Sequence, residues 1–401
     1  LNFMRFLDRY AGKFIISVLV IINFILGFFS LKRRKNPYPE KVETILISKY
    51  FGLGSIMNSF PLLNVLKNHF IHPYMIFITF ERNREIFDIT GIVDEVITIR
   101  NYSFIRFVLD SLKAILRLNR IGIDISIDLE FFSKFSMIMS YFSGAHVRVG
   151  FFSYFNNRSA LLTHSAAFNH YKHISRAYLS MGEKIGLKVP ESGYSISLPK
   201  QDGQVIKELN EIIENYTHLP IVTINPNAST LCEMRKWPDD RYVELLDRLM
   251  EKYPEYLYVL IGSKAEFDYV ESIYGHCRFH DGRLRNIAGK TDLKHLLALL
   301  DESELLISND SGPVHLAAGY QIKTVVLFGP ETPVLYRPLN DNVKVIFRDI
   351  YCSPCINVLD NKSFEECNDV KCLKKISVDE VFEAAECFLG NRAGYRERTH
   401  A

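Results

Sequence analysis

Glu304-Leu-Leu-Ile-Ser-Asn-Asp310-Ser311-Gly312-Pro313-Val-His315-Leu-Ala-Ala-Gly319, followed by Lys323-Thr-Val-Val-Leu-Phe-Gly-Pro330, is the stretch that decides the fold. Residues 305–307 read as a short buried strand and residues 309–312 as turn chemistry. Pro313 suits the first turn of a helix, where a missing N–H costs nothing. Residues 316–319 supply small side chains for close helix packing, and residues 324–328 read as a second buried strand. A strand, a polar glycine turn and a helix start direct free N–H groups and the positive helix end at one point, an anion site flanked by Asp310 and His315. The plainer alternative is that Asp310 or Ser311 only caps the helix and His315 is a satisfied buried histidine.

The same grammar extends in both directions. Residues 44–49, 74–80, 95–99, 123–129 and 147–151 read as strands, alternating with helical patterns over 56–70, 83–90, 104–118 and 131–142. A short strand at 195–198, a charged helix over 200–216 and the breaker His218-Leu-Pro220 mark a boundary. Strands at 221–225, 256–262 and 284–288 then alternate with helices at 239–253 and 293–300, and a final helix covers 378–389. Alternation of this kind predicts α/β architecture with doubly wound parallel sheets, whose ligands bind beyond the carboxyl ends of the strands. The organisation expected is a hydrophobic anchor with a basic flank at 1–36, domains at 40–200 and 218–390, and a polar tail at 391–401.

Asn309-Asp-Ser-Gly-Pro-Val-His-Leu-Ala-Ala318, closed by Leu327-Phe-Gly-Pro330, resembles the signature of family 9 glycosyltransferases, the lipopolysaccharide heptosyltransferases and their relatives. The resemblance covers residues 45–390, strongly in the second half and partially in the first. It implies a GT-B fold, two facing doubly wound Rossmann-like domains with a cleft between them. It also implies transfer of a sugar from a nucleotide diphosphate, with ADP-heptose as the expected donor, to a hydroxyl of a lipopolysaccharide core or related membrane glycan. The alternatives are another nucleotide sugar used for O-antigen or capsule, or a weakly active or inactive nucleotide-sugar binder.

Site residues follow from the same resemblance. In the block Asn225-Pro226 through Trp237-Pro238, it assigns Ser229, Thr230 and Arg235 to the donor diphosphate, with Lys236 as a neighbour able to share the role. An arginine suits that task because it binds phosphate oxygens through two parallel charge-assisted bonds. Glu266 is the candidate for the ribose hydroxyls, although N-cap chemistry explains an acid there nearly as well. Asp310, Ser311 and Gly312 are expected to meet sugar and diphosphate, and His315 to add a donor. Gly289-Lys290-Thr291 lacks P-loop spacing.

In the first half, Gly52-Leu53-Gly54-Ser55 through Pro61 resembles the family's acceptor loop, with Ser55 standing where the family carries an aspartate proposed as the base. A serine hydroxyl does not accept a proton unaided near neutral pH. Asp124, Asp128 and Glu130 are substitute carboxylates, Asp128 or Glu130 being preferred, and Asp310 is a further catalytic candidate. His164, His170 and His173 are surface or linker histidines that could also line the cleft.

Composition sets the remaining bounds. A net charge of +2 over 401 residues gives no nucleic-acid footprint. Residues 14–31 carry no charge and are long enough to span a bilayer; Lys32-Arg33-Arg34-Lys35 follows, outweighing Arg5, Arg9 and Lys13 on the other side. That bias places the body on the cytoplasmic side of the inner membrane; a helix lying in the interface is the alternative. Seven cysteines are an odd set that fits a reducing compartment, and Cys352, Cys355, Cys367 and Cys372 fall in one window. They could form a closed structural zinc site, a disulfide or free thiols. No cofactor is required, because helix termini and Arg235 can stabilise a leaving diphosphate.

Overall fold

The structure, a computed structural model, describes residues 2–29, 41–131, 133–153, 157–214, 219–228, 233–356, 367 and 369–390; within the first helix, side chains are described for residue 8 and residues 10–22. The chain forms two compact units, Leu1–Tyr194 and Ser195–Ala401.

The first unit is built on β1 (Thr44–Ser48), β2 (Tyr74–Phe80), β3 (Glu95–Ile99), β4 (Ile125–Asp128), β5 (Val147–Phe151) and β6 (His164–Ala166). They form one sheet in the order β3-β2-β1-β4-β5-β6, every pair parallel. Ile45, Leu46 and Ile47 are fully buried, as a parallel strand covered on both faces requires. The order reverses direction between β1 and β4, so the loops after these two strands flank the topological switch point.

The second unit repeats the plan. β7 (Ile221–Asn225), β8 (Leu257–Leu260), β9 (Leu284–Asn286), β10 (Ser303–Asn309), β11 (Lys323–Phe328) and β12 (Val343–Phe347) form a parallel sheet in the order β12-β11-β10-β7-β8-β9. Its switch point lies between β7 and β10, where the Asn225-Pro226 and Asn309-Asp310 turns leave the sheet. One core cluster joins Val222, Ile224, Trp237, Tyr242, Leu305, Ile307 and the closing helix Val378–Leu389.

Several expectations change. Residues 195–198 do not form a strand; only the Leu198 N–H reaches the carbonyl of Gly319, at 3.2 Å. The helix expected over 56–70 breaks into Leu53–Met57 and Phe60–His69. The N-terminal apolar run forms the helix Asn2–Phe29, yet this helix does not stand clear of the body. Ile16 and Leu19 are buried against Met137 and Leu161 of the first unit. Among the described residues, no helix is long and apolar enough to cross a membrane, so the spanning anchor at 1–36 is unsupported.

Candidate functional site

In the second unit, asparagines organise the switch point. Asn309 ends β10, and its carboxamide is fully buried. Its Oδ1 accepts from the Trp237 N–H at 3.1 Å, while Nδ2 donates to the carbonyls of Pro226 at 2.8 Å and Asn227 at 3.3 Å. Asn225, at the end of β7, donates to the hydroxyls of Ser308 at 2.9 Å and Ser311 at 2.8 Å. Asn227 donates to the carbonyl of Ile261, at the end of β8, at 2.7 Å. The loops after three adjacent strands are thereby tied into one rigid rim. A buried amide can do this because it donates and accepts at once. Trp237 completes the rim from below: it is buried, donates from Nε1 to the Ile376 carbonyl at 3.1 Å and stands edge-on to Tyr242.

This rim carries a charged cluster. Arg235 lies between two buried carboxylates, with Nη1 3.1 Å from Asp310 Oδ2 and Nη2 3.2 Å from Glu331 Oε2. Its side chain is 21% exposed, whereas both acids are almost wholly enclosed, so Arg235 is the least buried member of the cluster. Burial pushes the Glu331 carboxyl up to about 8 against the pull of Arg235, and Asp310 adds a further push. Asp310 is itself raised by burial and lowered by Arg235. One guanidinium cannot compensate two enclosed anions, so burial favours a retained proton on Glu331.

Neither Asp310 nor Ser311 acts as a simple helix cap. Asp310 faces Arg235, and the Ser311 hydroxyl accepts from Asn225 and donates to the Asn309 carbonyl at 3.2 Å. The helix Gly312–Ala318 follows, with Pro313 in its first turn and His315 buried within it. Lys236 is committed elsewhere, its ammonium 4.5 Å above the Tyr269 ring centroid and 4.0 Å from Glu233. The Glu266 carboxylate accepts from the Ser263 N–H at 2.7 Å and hydroxyl at 2.8 Å, closing a capping box. Ser229 and Thr230 lie outside the described residues.

Glu331 was missed in the sequence reading. The only signal was an acid directly after Phe328-Gly-Pro330, next to the second strand of the signature.

In the first unit the loop after β1 is held from β4. Glu130 accepts from the N–H groups of Tyr50 at 2.7 Å and Phe51 at 3.1 Å and pairs with the buried Lys49 ammonium at 2.9 Å. Asn83 donates to the Tyr50 carbonyl at 2.9 Å. Gly52 has φ +81°, a conformation that disfavours a side chain, and Gly54 and Ser55 follow in the short helix Leu53–Met57. Ser55 is half-buried.

Asp128 and Glu130 are both engaged within the first unit. Asp128 is wholly buried, bonded to Arg158 Nη2 at 2.5 Å and to the Ser136 hydroxyl at 2.9 Å, with burial pushing its carboxyl up to about 6. Glu130 is spent on the loop. Asp124 accepts from the N–H groups of Glu43 and Thr44 at the opposite end of β1. Of the histidines, His173 accepts the N–H of Ser175 at a helix start, and His164 is the first residue of the edge strand β6.

The cysteine window assembles no metal site: among the described residues, no three His, Cys, Asp or Glu side chains are placed to hold an ion. No disulfide joins Cys352, Cys355, Cys367 or Cys372 among the described residues. Burial pushes the Cys372 thiol up to about 11, with its three neighbours adding to the effect.

The solved structures that resemble this chain share its architecture. A family 9 glycosyl transferase from Veillonella parvula superposes with a TM-score of 0.72 at 20% identity, covering 88% of this chain and 99% of that one. The Escherichia coli ADP-heptose LPS heptosyltransferase II gives 0.70 at 19% identity, covering 87% and 98%. At this identity the likeness establishes the fold, two parallel six-stranded α/β units of GT-B-like type. In sequence, the lipooligosaccharide heptosyltransferase 2 of Campylobacter jejuni is 29% identical over 174 residues, which are 43% of this chain and 51% of the relative. The chain thus spans about half the length of the curated relatives it matches. Residues 112–364, which take in the asparagine rim, Arg235, Asp310 and Glu331, match the profile of glycosyltransferase family 9 (heptosyltransferase), and the chain belongs to that family.

Proposed function

We propose that the chain is a glycosyltransferase that moves a sugar from a nucleotide diphosphate to a hydroxyl of a membrane-associated glycan or glycolipid, with ADP-heptose as donor and no metal. The observation that carries this reading is Arg235, partly open and fixed between Asp310 and Glu331 at the switch point of the second sheet. In the reaction, the acceptor oxygen bonds to the anomeric carbon as the bond from that carbon to the phosphate oxygen breaks. The nucleoside diphosphate then leaves with the bonding pair. Arg235 stabilises the charge that develops on it, and the retained carboxyl proton makes Glu331 an O–H donor where a second carboxylate would repel. Metal-free chemistry is consistent with a fixed cation already standing at the leaving group.

The acceptor's proton passes to water, since Ser55 offers no carboxylate to take it. That observation supports the second reading, a nucleotide-sugar binder without efficient turnover. Both are tested by titrating ADP and ADP-heptose into the protein and assaying ADP release with lipid A-core acceptors. Arg235→Ala should weaken ADP binding by at least about tenfold, the loss of one charge-assisted pair. If Arg235→Ala binds ADP as the parent does, the donor site is elsewhere. If the parent binds but never releases ADP and Ser55→Asp restores release, the binder reading is correct for this chain.

A further inference from the structure

The helix Phe104–Ile121 of the first unit presents the wrong face to water. Its buried residues Asp110, Ser111, Ala114 and Leu118 seat it on the body. Phe104, Ile105, Val108, Leu109, Leu112 and Leu116 point outward, between 37% and 69% exposed. At about 100° per residue, these six cover a continuous arc of about 140° along about 18 Å of helix. Tyr102, just before the helix, is exposed as well. Six large aliphatic and aromatic side chains in one stripe are a surface feature, unlike exposed apolar residues scattered singly.

The charges beside the stripe have one sign. Arg106, Lys113 and Arg120 are exposed and run along one flank of the arc. Asp110 is the only acid of the helix; it is buried and held by Arg100 in two 2.7 Å bonds. Arg117 is paired with Glu95. An apolar stripe with a cationic margin and no free acid is complementary to acyl chains beneath anionic headgroups.

The N-terminal helix repeats the arrangement in the same unit. Phe14, Ile15, Val18, Ile21 and Ile22 are exposed while Ile16 and Leu19 are buried, and the sequence continues apolar to Leu31 before Lys32-Arg33-Arg34-Lys35. Both helices pack on the same third helix, Lys134–Phe142, whose Phe142 is also exposed and whose carbonyl there accepts from Asn119 at 2.6 Å.

We propose that the outer face of Phe104–Ile121 lies in the headgroup–acyl boundary of an anionic bilayer, as a second contact beside the N-terminal helix. Two contacts fix the unit's orientation on the membrane where one apolar helix would leave it free to swing. The inference goes beyond the transfer chemistry and is read out without it, so the failure of either leaves the other standing.

The test uses the full chain. Trp237 is the only tryptophan and is buried in the second unit, so it supplies a constant background. Leu112→Trp adds a reporter on the stripe. With vesicles of phosphatidylcholine and phosphatidylglycerol carrying brominated acyl chains, Leu112→Trp should be quenched well beyond the parent. Arg106→Glu/Lys113→Glu should lower partitioning onto these vesicles by about thirtyfold, from about 1 kcal/mol lost per basic residue near the surface. It should leave binding to pure phosphatidylcholine unchanged. ADP binding and the melting curve, followed in parallel, show that each variant is folded. The proposal is overturned if the chain floats with the vesicles while Leu112→Trp stays unquenched, which means that the N-terminal helix alone holds it. It is equally overturned if the reporter is shielded without lipid and light scattering shows a dimer, because a second copy then covers the face.

Discussion

Glu331→Gln should make the second unit less sensitive to alkali. The folded carboxyl titrates at about 8, against an ordinary value of 4.5. Between those pH values the folded chain holds a proton that the unfolded chain has released. Stability therefore falls as pH rises through this window, by about 1.4 kcal/mol per pH unit and about 5 kcal/mol in all. Below 4.5 and above about 8 this group adds no slope. From pH 6 to pH 8 the parent should lose about 2.5 kcal/mol through Glu331, or about 5–10 °C of melting temperature for a unit of this size. Glutamine keeps an oxygen for Arg235 and cannot ionise, so its melting temperature should change less over the same interval. Trp237 reports the event directly, since it is buried beneath the rim and bonded to Asn309 through its N–H. The measurement is tryptophan-detected melting of parent and variant at matched ionic strength across pH 5 to 9. Equal slopes for the two proteins would show that Glu331 ionises freely in the folded chain and that the retained-proton account of the cluster is wrong.

Asn309→Ala deletes three buried hydrogen bonds and leaves the Trp237 N–H and two carbonyls unmet. Calorimetry should show a loss of about 2–4 kcal/mol together with weaker ADP binding, because the loop that carries Arg235 comes free. Arg158→Met strands the enclosed Asp128 carboxylate, and denaturant titration should register a loss of about 3–5 kcal/mol. Arg158→Met/Asp128→Asn should recover part of that loss, and an unrecovered double variant would mean that Arg158 acts through packing and its 2.7 Å bond to the Glu130 carbonyl and not through the Asp128 charge.

The layered plan was readable because its signals are local. A parallel strand buried on both faces announces itself as a short unbroken apolar run, as 305–307 and 324–328 do, and β10 and β11 extend those runs by only a few residues. The weaker strands β6 and β12 lie at sheet edges, where His164-Ser-Ala166 and the half-exposed Val343–Phe347 lack that pattern. The site was readable in its residue types and less so in their roles. Arg235 and Asp310 do come together, but the partner that sets their charge state, Glu331, comes from beyond the next strand. Spacing says nothing about such a contact. Glu266 is the opposite case: its capping box with Ser263 is closed within four residues, so its local partner can be read from spacing alone. The counter-ion of Asp128, Arg158, lies thirty residues on and belongs to no motif, so spacing gives no sign of the pair.

Glu130 fixes the glycine loop after β1 entirely through main-chain N–H groups and Lys49, and Asn83 does so through a main-chain carbonyl. None of these restraints touches the side chain at position 55. The loop's path is thus insulated from its own chemistry: the residue there can be exchanged, acid for hydroxyl, without redrawing the backbone around it. A substitution at such a position therefore acts on chemistry with little cost to folding.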